Sequence, residues 1–174
     1  AFFDSLTQLP NRRLFNDRLG QAVKRAQRTS SSLALMFVDL DKFKPINDTY
    51  GHEAGDFMLQ TVAKRLSGCL RAYDTAARVG GDEFLVLLPD IPSGSDALAV
   101  AEKIRSALAE PCISPDGIEL CISASIGIAI YPEHAGSEHE LLRLGDRAMY
   151  EAKSAGGNRV KLFSPEDGAD HSAA

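Results

Sequence analysis

Apolar positions run along the chain at two different periods, and the switches between them mark out the elements. Asn11 is a good N-cap, and Leu14, Val23 and Ala26, with Leu19 or Ala22 between them, keep helical spacing up to the polar run Thr29 to Ser32. Leu33 to Val38 is then continuously apolar, as a central strand covered on both sides would be. The character changes at Asp39, and Pro45 and Gly51 predict a loop or broken turn as far as Gly51. A second amphipathic helix is predicted from about Glu53, with Phe57, Met58, Val62, Ala63, Leu66 and Leu70 inward. A short strand near Ala76 to Val79 leads into a hairpin at Gly80-Gly81, two residues that take positive φ without a Cβ penalty. The returning strand runs from Phe84 to Leu88 and closes at Pro89.

A third helix is predicted from Ser93 to Glu110, with Leu98, Ala101, Ile104 and Leu108 on one face. Beyond Pro111, Cys112-Ile113 and a Ser-Pro-Asp-Gly turn announce another hairpin, whose long return strand runs from Ile118 to Ile130. Gly127 interrupts that strand and predicts a bulge or close packing against a helix. Ser137 to Glu140 is a capping box that opens a last helix, with Leu141, Leu144, Ala148, Met149 and Ala152 inward and a stop at Gly156-Gly157. Arg159 to Phe163 reads as a final strand, and Ser164 to Ala174 as a frayed tail. Helices mixed with two hairpins predict an α/β fold, a central, mostly antiparallel sheet of about five strands flanked by helices.

Composition narrows the function. At 174 residues, 44% apolar and 25% charged, the chain suits one domain with a real core. A net charge of −5 argues against nucleic acid as the main partner, though not against nucleotides. Cys69, Cys112 and Cys121 have no metal-ligand spacing and are read as unpaired thiols of a reducing compartment. No apolar run approaches the ~20 residues of a membrane span and no signal peptide is visible, so a cytoplasmic location without membrane contact is expected. The chain begins inside a motif, as a piece of a longer protein would.

Acidic residues supply the candidate chemistry. Asp39 stands where the apolar strand meets a loop, and Asp82 and Glu83 stand at the hairpin turn. Taken singly, each reads as a solvated strand or turn end. If the hairpin neighbours the Leu33 to Val38 strand, three carboxylates converge, and such a cluster needs a hard cation, Mg²⁺ or Mn²⁺. Lys42, Phe43 and Lys44 follow, where backbone N–H groups and the Lys44 charge can meet phosphate oxygens. Asn47 and Asp56 carry groups able to read a guanine edge, and locally also pass as a turn-former and a helix N-terminal acid. Arg71-x-x-Asp74 is locally no more than a surface ion pair.

Taken together, these stretches resemble a known family. Residues 80 to 84 spell Gly-Gly-Asp-Glu-Phe, and Asp39-Leu40-Asp41-Lys42-Phe43-Lys44-x-Ile46-Asn47-Asp48-x-x-Gly51-His52-x-x-Gly55-Asp56 precedes them. The opening Asp4-x-Leu6-Thr7-x-Leu9-Pro10-Asn11-Arg12 and the late Ala148-Met149-Tyr150-x-Ala152-Lys153-x-x-Gly156-x-Asn158 complete the set, over residues 1 to 163. The pattern is similar to the GGDEF family, the diguanylate cyclases. The resemblance implies a palm-like fold akin to nucleotidyl cyclases, condensation of two GTP into cyclic di-GMP, and a homodimer at least transiently during catalysis. It implies that Asp39, Asp82, Glu83 and the Leu40 carbonyl hold metal, with Glu83 a further ligand or an aid to activating the 3′-hydroxyl. Asn47 and Asp56 would bind guanine, Lys44, Phe43 and Lys153 would belong to the substrate site with the triphosphate on the lysines, and Gly80 and Gly81 would pack against the nucleotide. Arg71 and Asp74 would form an inhibitory product site, with Arg105 a guess for its second arginine. Two departures stand out: Gln8 replaces a usual glycine, and Gly157 stands where the family often has arginine. The competing expectation is a non-catalytic module that binds GTP or cyclic di-GMP and regulates an attached domain.

Overall fold

In the computed structural model, residues 1–166 are described; the tail expected from Ser164 lies, from residue 167 on, outside the described residues. The elements in chain order are α1 (Arg12–Thr29), β1 (Leu33–Asp41), α2 (Phe43–Tyr50), α3 (His52–Gly68), β2 (Thr75–Arg78), β3 (Glu83–Leu88) and α4 (Gly94–Ala109). They continue with β4 (Cys112–Ile113), β5 (Glu119–Leu120), β6 (Ser123–Tyr131), α5 (Glu138–Ser154) and β7 (Arg159–Leu162). The main sheet has the order β2-β3-β1-β6-β7, antiparallel throughout except for the parallel pair β6 and β7. This is the mostly antiparallel, helix-flanked sheet that the pattern predicts.

The period of two along β1 divides the core into two layers. Ala34, Met36, Val38 and Leu40 pack with α2, α3 and α4 on one face, while Leu33 and Leu35 pack with α1 and α5 on the other. Both faces of β1 are therefore covered, which is why its apolar run shows no polar alternation. Asp39 and Asp41 continue the α1/α5 side, and so bring two acids onto the face of the sheet that α5 covers.

Side-chain caps open α1 and α5. Asn11 Oδ1 accepts the Leu14 N–H at 3.1 Å, and Ser137 Oγ accepts the Glu140 N–H at 3.2 Å. In the first turn of α1 the fully buried residue is Phe15 rather than Leu14. Gly127 makes no bulge: it sits in unbroken register opposite Phe37, and a Cβ there would lie 2.1 Å from the Met149 nitrogen. The glycine exists because α5 lies directly on β6.

Three expectations need correction. The stretch from Phe43 to Tyr50 is helical, because Pro45 falls in the first turn, where its missing N–H has no partner to lose. The strand expected from Ile118 to Ile130 is split: β5 pairs with β4 in a small separate hairpin, and β6 starts only at Ser123. Neither Gly80 nor Gly81 has a positive φ, since the β2–β3 connection spans four residues, Val79 to Asp82, and needs no two-residue turn.

Candidate active site

The acidic cluster is built by strand register. Asp39 on β1 lies directly opposite Glu83, the first residue of β3, and the Leu40 N–H donates to the Asp82 carbonyl at 3.1 Å. The hairpin therefore does neighbour β1, and its acids come alongside Asp39. Gly80 leaves room for Glu83: a Cβ there would stand 3.0 Å from Glu83 Oε2. Gly81 faces open space.

Lys153, from the last turn of α5, reaches into this cluster. Its Nζ donates to the Leu40 carbonyl at 3.3 Å and lies 3.5 Å from Asp39 Oδ1 and 3.7 Å from Asp41 Oδ1. Burial pushes the Asp39 carboxyl up to about 6, with Lys153 opposing that shift and the charges of Asp82 and Glu83 adding to it. Asp41 behaves in the opposite way. Burial alone would raise it, but hydroxyls from Ser125 and Ser123, the Asn158 N–H and Lys153 hold it below the usual carboxylate range. Among the described residues, no group of three His, Cys, Asp or Glu side chains already stands in metal-binding geometry. The donor chemistry of Asp39, Asp82, Glu83 and the Leu40 carbonyl nevertheless fits a hard divalent cation: Asp39 is a crowded, partly buried acid already sharing an ammonium with that carbonyl.

The remaining candidates divide between surface and core. Lys44 and Asp56 are exposed, and Asn47 is half-buried. Gly55 makes space for the Asn47 side chain, since a Cβ at 55 would fall 1.7 Å from Asn47 Oδ1. Phe43 is 9% exposed and its ring packs in the core beneath α2, so it is the backbone N–H, at the helix start, that can meet a ligand.

Arg71 is folded onto Asp74, whose side chain is 2% exposed. Asp74 accepts from the Arg71 backbone N–H at 2.7 Å and from its guanidinium at 2.8 to 3.1 Å, and Arg71 Nη2 also donates to the Pro89 carbonyl at 2.8 Å. A groove of about 700 Å³ lies beside Asp74, rather than at Asp39, and is bordered by Arg18, Arg25, Tyr73 and Asp90. Arg105 is far from it. It donates to Asn158 Oδ1 at 2.9 Å beside β7, at the opposite edge of the sheet from β2.

Sequence reasoning missed several of these residues. Asp41, two residues from Asp39, had to share its face by the strand period. Arg18 and Arg25 came to the groove only through the packing of α1. Arg78 was also passed over: it donates to Asp4 at 3.1 and 3.2 Å and to the Gly81 carbonyl at 3.1 and 2.9 Å, and so ties the N-terminal turn to the hairpin. The glycine departures have local causes. Gln8 keeps the turn by adopting φ 62, and Gly157, with φ +73, would place a Cβ 3.0 Å from the Asp41 carboxyl.

Comparison with known proteins bears on this arrangement. The family described as "Diguanylate cyclase, GGDEF domain" matches residues 1–159. Diguanylate cyclase TpbB of Pseudomonas aeruginosa is 48% identical over 153 residues, which make up 88% of this chain but 35% of that protein's length. A solved structure of TpbB comprising only its GGDEF domain superposes with a TM-score of 0.94 at 44% identity, covering 98% of this chain and 99% of that one. The GGDEF domain of DgcB from Caulobacter crescentus, solved in complex with c-di-GMP, is similar at 32% identity and a TM-score of 0.86, covering 93% of this chain and 95% of that one.

Proposed function

The chain belongs to the GGDEF family of diguanylate cyclase domains, and from that premise we propose that it condenses two GTP into cyclic di-GMP with release of two pyrophosphates. The observation that carries this reading is the facing of Asp39 and Glu83 across β1 and β3, with a lysine ammonium from α5 against Asp39 and the Leu40 carbonyl. In this reading Asp39, Asp82, Glu83 and the Leu40 carbonyl are the holders of Mg²⁺ or Mn²⁺, which when bound supplies Lewis acidity at the α-phosphate. Asp82 and Glu83 divide between them the holding of that cation and acceptance of the 3′-hydroxyl proton. The hydroxyl oxygen bonds to the α-phosphorus of the other nucleotide as the bond to pyrophosphate breaks, and a second such step closes the ring. Asn47 and Asp56 take the guanine edge, while Lys44, Lys153 and the Phe43 N–H take triphosphate oxygens. Gly80 and Gly81 let the nucleotide approach the backbone. With one GTP per domain, two chains must face each other, at least transiently.

Arg71 and Asp74 form the product site in this proposal. Their geometry is already set, and the adjoining groove offers Arg18 and Arg25 as further cations for a dianionic ligand. Arg71→Ala should abolish inhibition by cyclic di-GMP; equal calorimetric affinity in variant and parent would reduce the motif to an ion pair.

Incubation with GTP and Mg²⁺ followed by nucleotide chromatography tests the activity. Cyclic di-GMP and pyrophosphate are the expected products. GTP binding without turnover, at concentrations where a dimer is shown, would leave the binding-module reading in its place.

A further inference from the structure

The signature that runs from Asp39 to Asp56 contains a second acid, Asp41, for which the proposed chemistry has no use. Its surroundings are more fully built than those of Asp39. Asp41 Oδ2 accepts from Ser123 Oγ at 2.7 Å and from the Asn158 N–H at 2.8 Å, and Oδ1 accepts from the fully buried Ser125 at 2.7 Å. These donors come from β6 and from the segment after α5, so Asp41 is locked from two sides. Asp39 is equally enclosed, at 15% exposed against 14%, yet the partner it has is Lys153. One ammonium is thus shared between a fixed carboxylate and one that is expected to take a cation.

We propose that Asp41 is a positioning residue for Lys153, a carboxylate that receives the ammonium when Asp39 is given over to a divalent cation. The proposal rests on the reading of Asp39 as a ligand of that cation. Lys153 bridges both acids and neutralises a crowded acidic face. Once Asp39 is committed elsewhere, Lys153 needs a second anion close by; otherwise its charge repels the incoming cation or swings into solvent. Asp41 lies 3.7 Å away and cannot itself move off, because four groups hold it: two hydroxyls, one amide N–H and Lys153. Lys153 thereby stays beside the place where the triphosphate is expected.

The test is nucleotide-free binding of Mn²⁺, read by electron paramagnetic resonance, in a double-mutant cycle. Asp39→Asn should remove the bound Mn²⁺; if it does not, or if the parent binds none, the metal reading falls and the proposal with it. Given that result, Lys153→Met should tighten Mn²⁺, since it removes a competing cation from Asp39. Asp41→Asn should weaken Mn²⁺ about fivefold or more when Lys153 is present and much less in the Lys153→Met background. Equal effects in both backgrounds would show Asp41 acting only through its own charge, and would overturn the proposal while leaving the metal site standing. Lys153→Met alone keeps the idea falsifiable should Asp41→Asn fail to fold: unchanged or weaker Mn²⁺ binding in that variant is equally fatal to it.

Discussion

At the scale of single residues, neighbouring acids of similar burial play different parts because their hydrogen-bond partners differ. Asp39 is raised by burial and by neighbouring charge, whereas Asp41 is lowered by its donors. Replacing Asp39 or Asp82 with asparagine keeps the side-chain size but removes a charge, and turnover of GTP is expected to fall roughly a hundredfold or more with the fold intact. Near-normal rates of cyclic di-GMP formation in Asp39→Asn, with unchanged circular dichroism, would remove it from the ligand set. Gln8 offers a separate test. A non-glycine residue at φ 62 carries left-handed strain, and this one is exposed, with a single side-chain bond to the Ser5 carbonyl. Gln8→Gly should raise stability by ~0.5–1 kcal/mol in chemical denaturation, the relief of strain exceeding glycine's greater chain entropy. Much at this scale was legible: each acid and glycine of the signatures could be named from the chain. Their partners could not, because Ser123, Ser125 and Asn158 reach Asp41 from more than eighty residues away.

At the scale of elements, the long amphipathic helices were readable because their apolar spacing leaves little choice, and β1 because it is apolar throughout. Where breakers were involved, reading was less secure. Pro45 and Gly51 look like loop signals, yet one is a first-turn residue and the other ends α2 at φ +93. The join of α5 to the sheet shows what sequence does reveal about packing, since Gly127 on β6 makes room for the α5 backbone and Gly145 on α5 for Phe37 of β1. Gly127→Ala would drive a methyl into the α5 backbone and should cost about 3 kcal/mol or more, seen as a fall in the denaturation midpoint. The connection between β6 and α5 carries a pH-sensitive contact. His134 Nδ1 accepts the Ile130 N–H at 2.9 Å, its side chain is 6% exposed, and its ring packs edge-on to Phe163. Burial holds its imidazole below the ordinary 6.5, with Glu133 opposing the shift. A base so lowered binds fewer protons folded than unfolded, so this contribution is full above pH 6.5 and declines as pH falls below it. Urea midpoints taken from about pH 7.5 to about pH 5.5 should drop more steeply in the parent than in His134→Gln, whose amide oxygen can still accept that N–H.

At the scale of the whole molecule, the sheet, its helices and the acidic end of β1 form one body, while the proposed reaction needs two. Tyr73, Ile113 and Tyr150 are exposed large apolar side chains spread over a loop, β4 and α5, and Phe2 and Phe3 add only a small exposed pair at the N-terminal turn. Specific activity is therefore expected to rise with protein concentration, and a flat profile over a roughly hundredfold dilution series would reveal a tight dimer instead. The parallel β7 has another consequence, one of timing. The Asn158 N–H that pins Asp41 is separated from it by 117 positions, and Lys153 precedes it by a single helix end. A chain emerging from the ribosome has its acids in place once β3 has paired with β1, but remains without its lysine until the last helix and strand have docked. Competence is then conferred from the C-terminal edge inward. Because β7 is a four-residue edge strand, its opening releases the Asn158 N–H from Asp41 without disturbing the rest of the sheet. Amides of β7 that exchange with deuterium faster than those of β1 would mark that edge as the last part of the site to arrive and the first to leave.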